Sequence, residues 1–154
     1  MKTNTHVRRR DVLTITGAGA CALALAPLAA HATPQSVQAE IDKVSAGKAP
    51  KDDARVMLTL PEIAENGGTV PLTVNVESPM TDADHIKAVH IYADGNPLPD
   101  VASYFVGPSN GKAELSMRIR LSTSQNVVAV AETSTGEVLV GRKHVKVTLG
   151  GCGG

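Results

Sequence analysis

The sequence predicts an all-β fold: seven antiparallel strands forming a β-sandwich, with a short N-terminal helix before it and a glycine-rich C-terminal tail after it. Three observations carry this expectation. From residue 56 onward, apolar side chains recur at every second position in run after run. The runs are separated by short segments rich in Gly, Pro, Asn, Asp and Ser: "ENGG", "ADGNPLPD", "GPSNG", "STSQ" and "STG". Only one stretch, ahead of all of them, has the three-to-four spacing of an amphipathic helix.

That stretch is Ser36 to Ala46, where Val37, Ile41 and Val44 share a face, Pro34 stands near the start and Gly47 supplies a stop. The polar link "KAPKDD" follows and completes a segment of helix and linker over 33–54. The sandwich domain is assigned to 55–149. Its first two runs are Val56–Leu60 and Val70–Val76, joined by the turn "ENGG". The others are Ile86–Ala93, Val101–Val106, Lys112–Leu121, Asn126–Thr133 and Glu137–Leu149. The sharpest alternation sets Ala113, Leu115, Met117, Ile119 and Leu121 against Lys112, Glu114, Ser116, Arg118 and Arg120. Leu72, Val74, Leu115, Met117 and Ile119 are thus expected to be buried, and Arg118 and Arg120 exposed. In the last run Val138 and Val140 have one parity and Val145, Val147 and Leu149 the other, which calls for a bulge near Gly141–Arg142. The strand count and spacing are those of an immunoglobulin-like sandwich in the broad sense, because the chain has no tryptophan and no cysteine pair inside the domain.

The first 32 residues read as an export leader. Arg8, Arg9 and Arg10 precede an apolar stretch from Val12 to Leu28, and Ala30-His31-Ala32 has the small-residue pattern of a cleavage site between Ala32 and Thr33. Arg9 and Arg10 lead into Asp11-Val12-Leu13 as in the twin-arginine signals that export folded proteins, although Arg8 stands where Ser or Thr is usual. A signal for unfolded export shares the gross pattern, and Gly17, Gly19 and Pro27 argue against a retained membrane helix. Ala18-Gly19-Ala20-Cys21 lacks the leucine of a lipoprotein site. The expected location is therefore the periplasm.

Removing residues 1–32 takes away four of the fifteen basic residues and one of the fifteen acidic ones, so the remaining chain carries a net charge of −3. That balance, with no basic run and few aromatics, gives no reason to expect nucleic acid or a membrane surface as partner. Catalytic or metal-binding groupings are thin. His85, His90 and His144 lie on separate segments without paired ligand spacing, so no metal site and no cofactor is expected. Asp82 and Asp84 flank a turn, and Arg118 and Arg120 read as a solvated strand face.

What remains is the end of the chain, "LGGCGG". Cys21 leaves with the leader, so Cys152 is the one thiol of the exported protein and has no internal partner. Gly150, Gly151, Gly153 and Gly154 surround it. A free thiol with a pKa of about 8.5 is only a few per cent thiolate near neutrality, and no cationic side chain in the tail changes that. Its activation must come from another protein's pocket, and four residues without side chains suit entry into a narrow channel. Residues 150–154 thus read as a carrier tail. From Leu149 the cysteine reaches roughly 10 Å.

The tail "GGCGG", with "LPEIAENGGTVPLTVNVESPM", "IYADGNPLPDVASY" and "RIRLSTSQNVVAVAE", resembles the SoxY family of the bacterial thiosulfate-oxidising (Sox) system over essentially the whole exported chain. The resemblance implies a non-enzymatic sulfur carrier whose tail cysteine, here Cys152, holds thiosulfate-derived intermediates. It implies transient partners: a haem cytochrome conjugase, a sulfate-releasing hydrolase and, where one is present, a sulfane dehydrogenase. It also implies a permanent one, a SoxZ-like β-sandwich subunit without its own signal, and this would explain folded export of a protein without a cofactor. Two other readings carry different expectations. A ubiquitin-like sulfur carrier also ends in Gly-Gly but needs ATP, which an exported protein lacks. A structural or adhesion domain crosslinked through Cys152 would be dimeric throughout its working life.

Overall fold

The computed structural model describes residues 31–150. It is built in three layers: one helix, a large sheet and a small sheet. The helix, α1 (Pro34–Ser45), starts where Thr33 in extended conformation accepts a hydrogen bond from the Ser36 amide while Ser36 Oγ accepts one from the Thr33 amide. It ends at Ala46, which adopts the left-handed conformation. Val37 and Ile41 are buried as their spacing requires, against Tyr92, Val128, Val130, Val138 and Val140 of the large sheet. Burial there, with the carboxylates of Asp100, Glu40 and Glu132 nearby, pushes the Tyr92 hydroxyl up to about 12.

Nine strand segments follow, two more than the seven expected. They are β1 (Lys51–Asp52), β2 (Val56–Thr59), β3 (Ile63–Asn66), β4 (Val70–Val76), β5 (Ile86–Ala93), β6 (Asp100–Phe105), β7 (Ala113–Ile119), β8 (Gln125–Thr133) and β9 (Val138–Leu149). The large sheet runs β1-β9-β8-β5-β6, with β3 also pairing with β9; the small sheet runs β2-β4-β7. The apolar residues of both inner faces form one core that includes Leu72, Val74, Ile91, Leu121, Val127 and Leu139.

The two additional strands, β1 and β3, pair with β9 in parallel, so the sandwich is not wholly antiparallel. They fall in the polar link and in the connection read as a turn. The "ENGG" segment does not close a hairpin between neighbouring runs. Between β2 and β4, which do pair antiparallel, the chain crosses to the opposite sheet, adds β3 to the edge of β9 and returns.

The expected bulge near Gly141 is absent: β8 and β9 stay in register from Glu132↔Val138 to Gln125↔Val145. The change of apolar parity comes instead from the helix. Val138 and Val140 lie under α1 and Leu139 on the core side, so the first part of β9 is buried on both faces. Past α1, Arg142 and His144 on the outer face are exposed, while Val145 continues the core side. Gly141 has a different task. A Cβ there would stand 2.5 Å from the Val56 carbonyl oxygen and 2.8 Å from Leu58 Cδ1, because β2 crosses β9 at this point on its way between sheets.

Leu72, Val74 and Ile119 are buried and Arg118 and Arg120 exposed, as expected. Leu115 and Met117 are only half-buried. They lie on β7, whose one neighbour is β4, so the opposite side of the strand is open. Across this flank runs β6, the free edge of the large sheet, and Tyr104 Oη donates to Met117 Sδ at 3.8 Å. Tyr104 thus lies on this flank, whereas Phe105, the next residue of β6, points to the outer face of the large sheet, edge-on to His90, and is 81% exposed.

Gly141→Ala should therefore destabilise the domain by about 1–3 kcal/mol, because the crossing strand must move. Gly107→Ala, an extended position with nothing within 4 Å of the added methyl, should be tolerated. Equal denaturant midpoints for the two variants would contradict the crossing-strand explanation.

Candidate functional site

The end of β9 is held from both sides up to Leu149. Strand β3 holds it on one side, pairing Asn66 with Leu149, and the Gly67 amide donates to the Leu149 carbonyl at 2.7 Å. On the other side, Ser124 Oγ accepts from the Val147 amide at 2.9 Å. Gly67 also receives the Leu121 amide on its carbonyl at 2.8 Å, so the two flanking loops are tied to each other. The next residue, Gly150, passes directly over the Ser122 carbonyl: a Cβ at Gly150 would lie 2.2 Å from that oxygen. This glycine is required by close approach of two backbones.

The loop beneath Gly150 is organised by Asn96, from the segment "ADGNPLPD". Asn96 Oδ1 accepts from the Ser122 amide at 2.9 Å, from Ser122 Oγ at 3.2 Å and from Gln125 Nε2 at 2.9 Å. Its Nδ2 donates to the Arg120 carbonyl at 2.9 Å. Gln125 is buried, and its Oε1 accepts from the Gly95 amide at 2.7 Å. The Asn96 carbonyl in turn accepts from the Ala32 amide at 2.7 Å, which brings the two ends of the described chain to one end of the sandwich. A sequence reading treats this Asn, Gln and Ser as turn residues, and the one available signal was an Asn between Gly and Pro facing a polar "STSQ".

The remaining candidates separate. Ala32 is buried and Thr33 caps α1, while Arg9, Arg10, Gly151, Cys152, Gly153 and Gly154 lie outside the described residues. Asp84 and Thr81 close a turn, with the Thr81 amide donating to the Asp84 carbonyl at 2.9 Å, and Asp82 lies within it. Arg118 reaches only Thr69 Oγ1 at 3.4 Å, and the Arg120 side chain is exposed. His85 Nδ1 lies 3.0 Å from the Thr81 carbonyl and His144 Nδ1 3.2 Å from Asn126 Oδ1. His90 has partners that the sequence did not show: Ser103 Oγ at 2.8 Å from Nδ1 and Glu132 Oε1 at 3.0 Å from Nε2, all three on neighbouring strands of the large sheet. No group of three or more His, Cys, Asp or Glu among the described residues could hold a metal ion. No helix among them is long and apolar enough to cross a membrane.

A cavity of about 240 Å³ opens between α1 and the large sheet, with Gln38, Asp94, Asn126 and Arg142 at its polar side. Its level on β9 is Arg142 to His144, some six to eight residues back from Gly150, which is roughly 20–27 Å of strand. Two fully extended residues span only about 7 Å.

The family described as sulfur oxidation protein SoxY matches residues 41–152. The chain belongs to the SoxY family. Among solved structures it is similar to the sulfur carrier protein SoxY from Chlorobium limicola f thiosulfatophilum, with 30% identity and a TM-score of 0.64 over 75% of this chain and 98% of that one. A superoxide reductase (neelaredoxin) from Ignicoccus hospitalis has 17% identity and a TM-score of 0.55 over 76% of this chain and 94% of its own. A putative superoxide reductase from Thermotoga maritima has 18% identity and a TM-score of 0.54 over 63% and 92%. These last two share the fold alone. No curated protein matches the chain. The SoxY match ends on Cys152 itself, the residue that the braced end of β9 leads to.

Proposed function

We propose that this chain is a covalent sulfur carrier, with thiosulfate-derived intermediates held on Cys152 and presented to periplasmic Sox enzymes. The observation that carries the reading is the SoxY family match through residue 152, on a chain whose last strand is clamped up to Leu149. In the first step the Cys152 thiol and thiosulfate form an S–S bond, releasing one proton and two electrons; a haem cytochrome conjugase accepts the electrons. Water then cleaves the terminal sulfonate as sulfate and a proton at the hydrolase, leaving a persulfide on Cys152. A sulfane dehydrogenase, where present, oxidises that sulfur. Activation of the thiol falls to these enzymes, because an ordinary free thiol is little ionised near neutrality, and the carrier needs no cofactor of its own.

The permanent partner in this reading is a SoxZ-like β-sandwich subunit. What supports it is the open flank: β6 and β7 both present unpaired edges there, Tyr104, Leu115 and Met117 are not fully covered, and Phe105 stands exposed on the outer face of the same free strand β6. Export of the assembled pair through the twin-arginine route, with cleavage between Ala32 and Thr33, places the carrier in the periplasm. Neither nucleic acid nor, after processing, a membrane takes part.

Cys152→Ser should keep the thermal midpoint and partner binding while forming no sulfur adduct, read by intact mass after incubation with thiosulfate and the conjugating enzyme. An adduct on the serine form would overturn the assignment. Phe105→Asp should weaken partner binding by tenfold or more in titration calorimetry, at the scale of an interface anchor, about 2 kcal/mol, with the free subunit's stability unchanged because the side chain is exposed. An unchanged affinity would move the interface elsewhere. Replacing Arg9 and Arg10 by Lys should leave the precursor in the cytoplasm by cell fractionation; normal export would contradict the folded route.

A further inference from the structure

We infer that Asn96 is a positioning residue for the carrier tail: it fixes the backbone shelf on which Gly150 rests and so sets the point from which Cys152 is presented. The inference rests on the carrier reading above. A tail that delivers a sulfur atom into another protein's pocket has two lengths, its own and the distance from its root to the surface that the enzyme recognises. The first is short, about 7 Å from Gly150 to Cys152. A displacement of the root by even 1 Å is then a large fraction of the reach, and errors of that size at a reacting centre cost up to a hundredfold in rate.

The root is defined by one contact. Leu149 is still held by Gly67, and Gly150 lies so close over the Ser122 carbonyl that no side chain fits between them. The place of that carbonyl depends on Ser122, whose amide and hydroxyl both donate to Asn96 Oδ1. The same oxygen receives Gln125 Nε2, and Asn96 Nδ2 holds the Arg120 carbonyl, so one amide side chain pins residues 120, 122 and 125 of a single loop. Gly95 adds to the fit: a Cβ there would lie 2.8 Å from Thr123 Cγ2 and 2.9 Å from Gln125 Cβ, so the Asn96 segment packs directly against the loop. Without Asn96 three donors and one carbonyl lose their partner, the 121–125 loop is released, and the shelf under Gly150 moves with it.

The test compares enzymatic loading with bare chemical access, using the complete exported protein bound to its partner. Asn96→Leu removes all four bonds. Asn96→Asp keeps the oxygen that receives Ser122 and Gln125 and loses only the donor to Arg120. Gly150→Ala disturbs the same contact from the tail side. Asn96→Leu and Gly150→Ala should lower kcat/KM for loading by the conjugating enzyme by tenfold to a hundredfold. Both should react with a small aromatic disulfide at the rate of the unsubstituted protein, and Asn96→Asp should restore most of the loading. If Asn96→Leu does not fold, Gly150→Ala decides alone. Normal loading of folded Gly150→Ala or Asn96→Leu overturns the inference, and so does an equal loss with the small disulfide, which would make the effect one of thiol access. Failure of the carrier reading is seen separately, as loading of Cys152→Ser.

Discussion

The structure depends on one uninterrupted ladder, the pairing of β9 with β8 from Val138 to Val145 and the continuation of β9 to Leu149. One edge of β9 is filled by β8 and the other, in succession, by β1 and β3, so a single strand organises the large sheet along its whole length. Its two faces are used differently. Val138 and Val140 anchor α1, Leu139 and Val145 belong to the sandwich core, and Gly141 lets β2 cross. The strand that carries the core ends at Leu149, so the place of Gly150 follows from the most heavily paired element of the fold.

This coupling explains how a domain with so little chemistry on its surface can serve a reaction. A carrier does not need to lower a barrier; it needs to bring one atom to several enzymes and let it go. Ordering each mobile residue in a pocket costs about 1–2 kcal/mol, which keeps visits short and reversible. A rigid root with a short arm beyond it concentrates that cost in very few residues. Gly150 is demanded by a close backbone contact, as Gly141 is by the crossing of β2.

Much of this was legible in the sequence because the dominant signals are local. Alternation placed seven of the nine strands, and the 3.6-residue spacing of Val37 and Ile41 placed the helix and its buried face. Lys51–Asp52 and Ile63–Asn66 escaped because a short parallel strand at a sheet edge is set by its partner's free hydrogen-bonding groups and needs no apolar pattern of its own. The parity change in β9 was visible, but its cause was a helix covering half the strand, which is a tertiary fact. Leu115 and Met117 keep perfect alternation and are still half-exposed, since alternation reports which way a side chain points and not whether anything stands opposite it. The relation of His90 to Ser103 and Glu132, and of Asn96 to Ser122 and Gln125, joins segments 13 to 42 residues apart that carry no shared motif. Cys152, by contrast, was conspicuous in the sequence as a thiol set between two pairs of glycines, and the SoxY match reaches it.

The most direct measurement of the central claim is the intact mass, with peptide mapping, of the protein purified without reductant from cells oxidising thiosulfate. The account predicts adducts of thiosulfate and of sulfane sulfur on Cys152 that disappear on reduction and are absent from cells given no reduced sulfur. A Cys152 found unmodified, or joined only to a second copy of the chain whatever the sulfur supply, would contradict it.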